Sequence, residues 1–156
     1  MPLFSKMMFS AVQWAARKGL RGDMTVNEAE AKHRARRTGV RGETYAYWLL
    51  RSRGYIFIAR NYTVPGMKGE IDLVGYDGPA LAFVEVKTRT ADDRQMGLPE
   101  DSVNSEKRRR LVRMARQFLA ERRIAEAPCR FDVLAIESRP GSAPVVRLHK
   151  DAFSAA

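Results

Sequence analysis

Between Gly69 and Arg89 the chain reads GEIDLVGYDGPALAFVEVKTR, two alternating β-prone runs joined by a turn, with Glu70, Asp72, Glu85 and Lys87 where core strands ordinarily carry no charge. Successive strand side chains point to opposite faces. Glu70, Asp72, Val74 and Tyr76 therefore share one face of the first run. Phe83, Glu85 and Lys87 share one face of the second, with Val84 and Val86 on the other. Tyr76-Asp77-Gly78-Pro79 supplies the reversal, because Asp and Gly tolerate positive φ and Pro ends the ladder. Antiparallel pairing then brings Asp72 close to Glu85. Burying an isolated charge costs on the order of several kcal/mol, and two close carboxylates repel unless a cation, a shared proton or a basic side chain compensates. Two arrangements satisfy those demands. In one, Asp72 and Glu85 are ligands of a hard divalent ion with Lys87 beside them; in the other, the hairpin lies at a sheet edge and its charges face water, Glu85 and Lys87 forming a surface pair.

Elements on either side are legible from periodicity. Glu43 to Arg53 (ETYAYWLLRSR) has Ala46, Leu49 and Leu50 at helical spacing and Gly54 as a stop. Glu43 stands at the start of that core-facing stripe. By itself this placement means only that an acid favours a helix N-terminus, an effect of under about 1 kcal/mol. Tyr55 to Asn61 is a β-prone run, followed by a loop through Val64-Pro65-Gly66. After the hairpin, TADDRQMGLPEDS reads as a loop. Asn104 to Arg123 is a second helix, with Ser105 as cap and Leu111, Met114, Ala115, Phe118 and Leu119 as its apolar stripe. Its early turns carry Lys107, Arg108, Arg109 and Arg110, a run that suits phosphate contact, and Lys107 stands four residues before Leu111, on the side of the core. Arg130 to Glu137 and Val145 to His149 read as two closing strands.

Charge and cysteine usage limit the function classes. In 156 residues, 28 Lys and Arg stand against 18 Asp and Glu, a formal net charge of +10 that favours polyanionic partners, chiefly nucleic acid. The single Cys129 excludes an intramolecular disulfide and a cysteine-based zinc cluster, which suits a reducing, cytoplasmic setting. No run of apolar residues is long enough for a transmembrane helix, and no membrane partner is expected. Residues 1–42 hold nine Lys and Arg against three acids. Residues 1–38 accordingly read as a basic extension, partly helical or flexible, with one helical piece in Met7–Ala16 and another in Val26–Arg37, and residues 39–156 as the globular domain.

Taken in order, the helix with Glu43, the Asp72 strand, the Glu85-Val86-Lys87 strand, the basic helix and the last strands resemble the restriction-endonuclease-like fold of PD-(D/E)XK phosphodiesterases and, among these, Holliday-junction resolvases. More closely, GETYAYWLL, GEIDLVGYDG, AFVEVKTR, GLPEDSVNSEKRRRLVRMA and RFDVLAI resemble the YraN-type family, a bacterial group placed with endonucleases. The resemblance implies an α/β fold in the order α-β-β-β-α-β-β, a mixed sheet flanked by helices. It further implies metal-dependent hydrolysis of DNA, with branched DNA by analogy, and a homodimer would suit such a two-fold substrate. Asp72, Glu85, the Val86 carbonyl and Glu43 would hold Mg²⁺ or Mn²⁺, with Glu70 as a reserve ligand and Lys87 at the attacking water. Lys107, Arg108, Arg110 and Arg89 would face the nucleic acid. Ile71 stands where the name-giving motif has Pro, which removes no ligand. The alternative is a nucleic-acid-binding module that keeps the fold without turnover.

Overall fold

Apolar side chains of the central strands divide between two faces of one sheet, and each face is closed by a helix with a matching stripe. The computed structural model describes residues 2–18, 28–90, 104–124, 127–139 and 141–154. The expected loop after Arg89 lies outside the described residues apart from Thr90, as do the basic side chains of residues 17–38. The elements are α1 (Pro2–Lys18), α2 (Glu28–Ser52), β1 (Ile56–Tyr62), β2 (Ile71–Asp77), β3 (Ala80–Thr90), α3 (Ser105–Arg122), β4 (Cys129–Ser138) and β5 (Val145–Phe153). The strands lie in the order β1-β2-β3-β4-β5. All neighbours are antiparallel except β3 and β4, which are parallel, so α3 serves as the crossover between them. This is the mixed sheet flanked by helices, in the expected order.

On one face Leu111, Met114, Ala115 and Phe118 of α3 pack against Ile71, Val74, Leu81, Phe83, Phe131 and Val133. On the other, Tyr45, Ala46, Leu49 and Leu50 of α2 meet Leu73, Ala82, Val84, Leu134 and Ile136. The alternation of β3 explains the split, Phe83 turning to α3 while Ala82 and Val84 turn to α2. Phe9, Val12 and Ala16 of α1 pack on the α2 side, with Phe9 edge-on to Tyr45 at 5.3 Å between centroids.

Some boundaries differ from the sequence expectation. The helix expected to begin at Glu43 begins at Glu28 and runs through Gly39 and Gly42. Gly42 is needed for space, since a Cβ there would come 1.9 Å from Oγ1 of Thr88. Its absence lets α2 lie directly against β3. The cap of α3 is Asn104, not Ser105, its Oδ1 accepting the Lys107 N–H at 2.9 Å. β5 continues past His149 to Phe153.

Candidate functional site

Where β2 and β3 part, side-chain carboxylates replace ladder pairing. Their backbone pairing runs from Asp77↔Ala80 to Leu73↔Val84. The next rung would join Asp72 to Glu85; instead Oδ2 of Asp72 accepts the Val86 N–H at 2.7 Å. Beyond that point β3 keeps β4 on one side, through Thr90↔Ser138, and on its other side Thr88 abuts Gly42 of α2. The close approach at Gly42 brings Glu43, the next residue, to the opening between the strands. Both acids of the hairpin are buried, Asp72 at 8% exposure and Glu85 at 6%. The reading in which these charges face water is therefore not the one the fold adopts.

The carboxylates form two groups. Glu43, Glu70 and Asp72 each offer an oxygen, all within 4.8 Å of one another. Glu70, held in reserve by the sequence reading, stands exposed just before β2 and belongs to this group. Glu85 belongs to the second: Lys107 Nζ donates to its Oε1, and Lys87 Nζ lies 3.0 Å from the same oxygen. Val86 contributes the N–H that fixes Asp72. The basic residues of α3 are divided. Lys107 enters the site, Arg110 lies against Gly69, where a Cβ would come 3.3 Å from its Nε, and Arg108 sits over the Phe153 ring at 5.5 Å. Arg89 is half-buried on β3 and paired in register with Glu137 of β4.

Protonation follows from this packing. The Asp72 carboxyl is pushed up to about 7, by burial first and by the Glu85 charge next, against the Val86 hydrogen bond. Burial pulls the Lys87 ammonium below its ordinary range despite Glu85. Burial opposes the Lys107 ammonium too, yet the charge and hydrogen bond of Glu85 hold it raised. Of the two lysines, Lys87 is thus the readier to give up a proton. The trio beside them offers carboxylate oxygens alone, the donor type that hard divalent cations choose. Its three carboxylates could hold one such ion.

Asn61 was not singled out by the sequence reading. The β1–β2 register, Arg60↔Leu73 and Tyr62↔Ile71, sets it opposite Asp72. Its φ of 48° is a left-handed conformation that Asn tolerates better than most residues, and its Nδ2 donates to Oε2 of Glu43 at 3.0 Å. An Asn beside Arg60, after the apolar run of residues 56–59, was the available signal. Groups that orient metal-binding carboxylates typically change affinity by about 10–100-fold when removed. Asn61→Ala is expected to weaken Mn²⁺ binding roughly 10-fold in calorimetric titration with little change in the circular dichroism spectrum. An unchanged affinity would mean that Glu43 needs no orientation.

A mixed sheet whose antiparallel pair opens onto a carboxylate trio and a Glu-x-Lys strand defines a restriction-endonuclease-like α/β protein. The model of the Uncharacterised protein family UPF0102, the YraN family, matches residues 42–136, and the chain belongs to it. Its relatives include UPF0102 proteins of Symbiobacterium thermophilum, 45% identical over 78% of this chain and 99% of the relative, and of Koribacter versatilis, 43% identical over 75% and 79%. A third, of Moorella thermoacetica, is 44% identical over 65% of this chain and 81% of its own length. The match spans α2 from Gly42, the hairpin, α3 and most of β4. Among the described residues no helix is long and apolar enough to cross a membrane.

Proposed function

We propose that the chain is a metal-dependent endonuclease that hydrolyses phosphodiester bonds in DNA, with branched DNA as the substrate class the family resemblance suggests. The observation that carries the proposal is the Glu43–Glu70–Asp72 trio, with oxygens within 4.8 Å of one another, beside a Lys87 ammonium whose pKa burial has lowered. Mg²⁺ or Mn²⁺ bound there would act as a Lewis acid toward a phosphoryl oxygen. The chain's own groups supply the rest. Glu43, Glu70 and Asp72 hold the ion; Asn61 and the Val86 N–H fix the carboxylates of Glu43 and Asp72. Glu85 holds both lysine ammoniums next to the ion site. Lys87 Nζ donates to the phosphoryl oxygen as negative charge builds there and orients the attacking water. Lys107, at the first turn of α3, supplies a second positive charge to the phosphate.

A second reading, a nucleic-acid-binding module without turnover, is favoured by the capture of Glu85 between two ammoniums, which leaves that carboxylate already compensated. Lys87→Met separates the two. The nuclease reading expects nicking of supercoiled plasmid with Mg²⁺ or Mn²⁺, reduced on the order of 10²-fold or more in the variant while Mn²⁺ still binds. Plasmid left intact by wild type under either metal, with DNA binding retained, would favour the module. Cleavage equal in wild type and variant would remove Lys87 from the mechanism.

A further inference from the structure

Away from the acidic trio, the outer surface of α2 and the adjoining edge of β1 carry a second organised feature. Glu43, Tyr47 and Arg51 lie four residues apart along one line of α2, about 6 Å per step. Tyr47 stacks on Phe57 of β1, with centroids 5.3 Å apart and ring planes at 30°. The guanidinium of Arg60, from β1, lies over the Tyr47 ring at 4.4 Å. Arg51 donates from Nη1 to the Tyr47 hydroxyl at 2.8 Å, and its guanidinium lies 5.5 Å from the Tyr47 centroid and 5.7 Å from that of Trp48. Trp48 in turn meets Phe4 of α1 edge-on at 6.2 Å. Two cations are thus held against aromatic rings, and among the described residues neither has a carboxylate partner.

That arrangement has a chemical direction. An arginine on a folded surface usually finds a carboxylate, or stays mobile at an entropic cost to whatever binds it. Stacking fixes the guanidinium plane and leaves its edge donors for a bidentate acceptor such as a phosphate. Arg60 precedes Asn61, which reaches Glu43, so the strip is continuous with the acidic trio through both α2 and β1. A row of fixed positive charges leading to a phosphodiester-cleaving site, in a chain of net charge +10, matches the repeating anion of a nucleic-acid backbone.

We infer that the Arg51–Tyr47–Arg60 strip seats the phosphodiester backbone of one nucleic-acid strand beside the acidic trio, on the opposite flank from Lys107 of α3. This rests on the proposed function and adds where the substrate strand runs. The contacts are to phosphate and carry no base sequence preference.

The test is fluorescence anisotropy of a short labelled DNA, as single strand and as duplex, with full-length protein in EDTA across a KCl series. Each lost phosphate contact lowers the slope of log affinity against log salt by about 0.7 for single strands or 0.9 for duplex. Arg51→Gln/Arg60→Gln is therefore expected to lower it by roughly 1.4 to 1.8. Arg139→Gln/Arg147→Gln removes the same charge from the β4–β5 end, where both arginines face Glu137, and should leave the slope unchanged. Because Arg51 also packs on Trp48, the single Arg60→Gln at an exposed position gives an independent reading, a drop of about 0.7 to 0.9. A slope in the strip variants equal to that of wild type would overturn the inference alone. Absence of DNA binding by wild type would remove the proposed function along with it.

Discussion

Asp72→Asn is expected to abolish Mn²⁺ binding and, in the same protein, to raise the thermal unfolding midpoint of the metal-free form at pH 8. Both effects come from one buried carboxylate. Asp72 is 8% exposed, next to Glu85, and its carboxyl is pushed up to about 7 by burial and then by that neighbour. In the unfolded chain it titrates near the ordinary value of about 3.9. A group whose folded pKa is raised contributes stability that is complete below the unfolded value and is lost as pH rises through the folded value. Metal-free wild type should therefore lose on the order of a few kcal/mol between about pH 4 and pH 7 that the Asn variant does not lose. Asn keeps an oxygen for the Val86 N–H, so the local backbone geometry survives. The stability difference between variant and wild type should widen across that window and level off above it. Mn²⁺ at about 100 times its dissociation constant should stabilise wild type by about 2.7 kcal/mol and leave the variant unmoved. Equal Mn²⁺ stabilisation in both proteins would remove Asp72 from the ion site. A flat difference from pH 4 to pH 8 would show that the carboxylate is not held charged against its surroundings.

This behaviour was half visible in the sequence. Alternation in GEIDLVGYDG and AFVEVKTR puts Asp72 and Glu85 on one face, and the two-residue reversal at Gly78-Pro79, with Gly78 at φ 59°, sets the register that brings them together. The apolar stripe of α3 and the alternation of β4 were equally legible, because both are periodic. The division of the acids into two groups was not. Alternation assigns Glu70 to a strand face, whereas the chain bends at Gly69, with φ 96°, and Glu70 enters the trio from the residue before β2. Glu85 was read as a ligand, yet it meets two lysines, one of them 22 residues away in sequence on another element. Helical spacing sets Lys107 on the side of the core, but nothing periodic names its partner. Gly42 carried no periodic sign of its role either: its missing side chain serves the contact with Thr88 that delivers Glu43 to the site. The Arg60–Tyr47–Arg51 strip was hidden for the same reason, since its members come from a helix and a strand that meet only in the fold.

Arg130→Met is expected to cost about 3–5 kcal/mol of stability while leaving Mn²⁺ affinity unchanged. Asp132 on β4 is fully buried, at 0% exposure. Arg130 Nε donates to its two oxygens at 2.9 and 3.1 Å, the Asp151 N–H donates to Oδ1 at 3.0 Å, and the Tyr55 hydroxyl lies 3.4 Å from Oδ2. β5 bulges to make the backbone contact, its register shifting between Phe131 and Val133, and Asp151 takes a φ of 52°. Arg130 also donates from Nη2 to Tyr55 at 3.0 Å and to Asp77 at 2.6 Å, where Lys150 Nζ joins at 2.6 Å. Those two donors hold the Asp77 carboxyl below the usual range, and burial, followed by the charges of Asp132 and Asp77, raises the Tyr55 hydroxyl. Methionine replaces the stem of Arg130 and none of its charge, so the buried Asp132 carboxyl would lose its compensating cation and keep hydrogen bonds alone. Uncompensated charge, not lost packing, is the source of the expected cost. Arg130→Met/Asp132→Asn removes that charge and keeps an acceptor for Asp151, and it should recover most of the loss in denaturant titration. Asp77 and Asp72 stand at opposite ends of β2, about 17 Å apart at 3.4 Å per residue, so the network and the acidic trio should vary independently. Failure of the double variant to recover stability would mean that the guanidinium's packing between Tyr55 and Asp77, and not its compensation of Asp132, is what holds this end of the sheet.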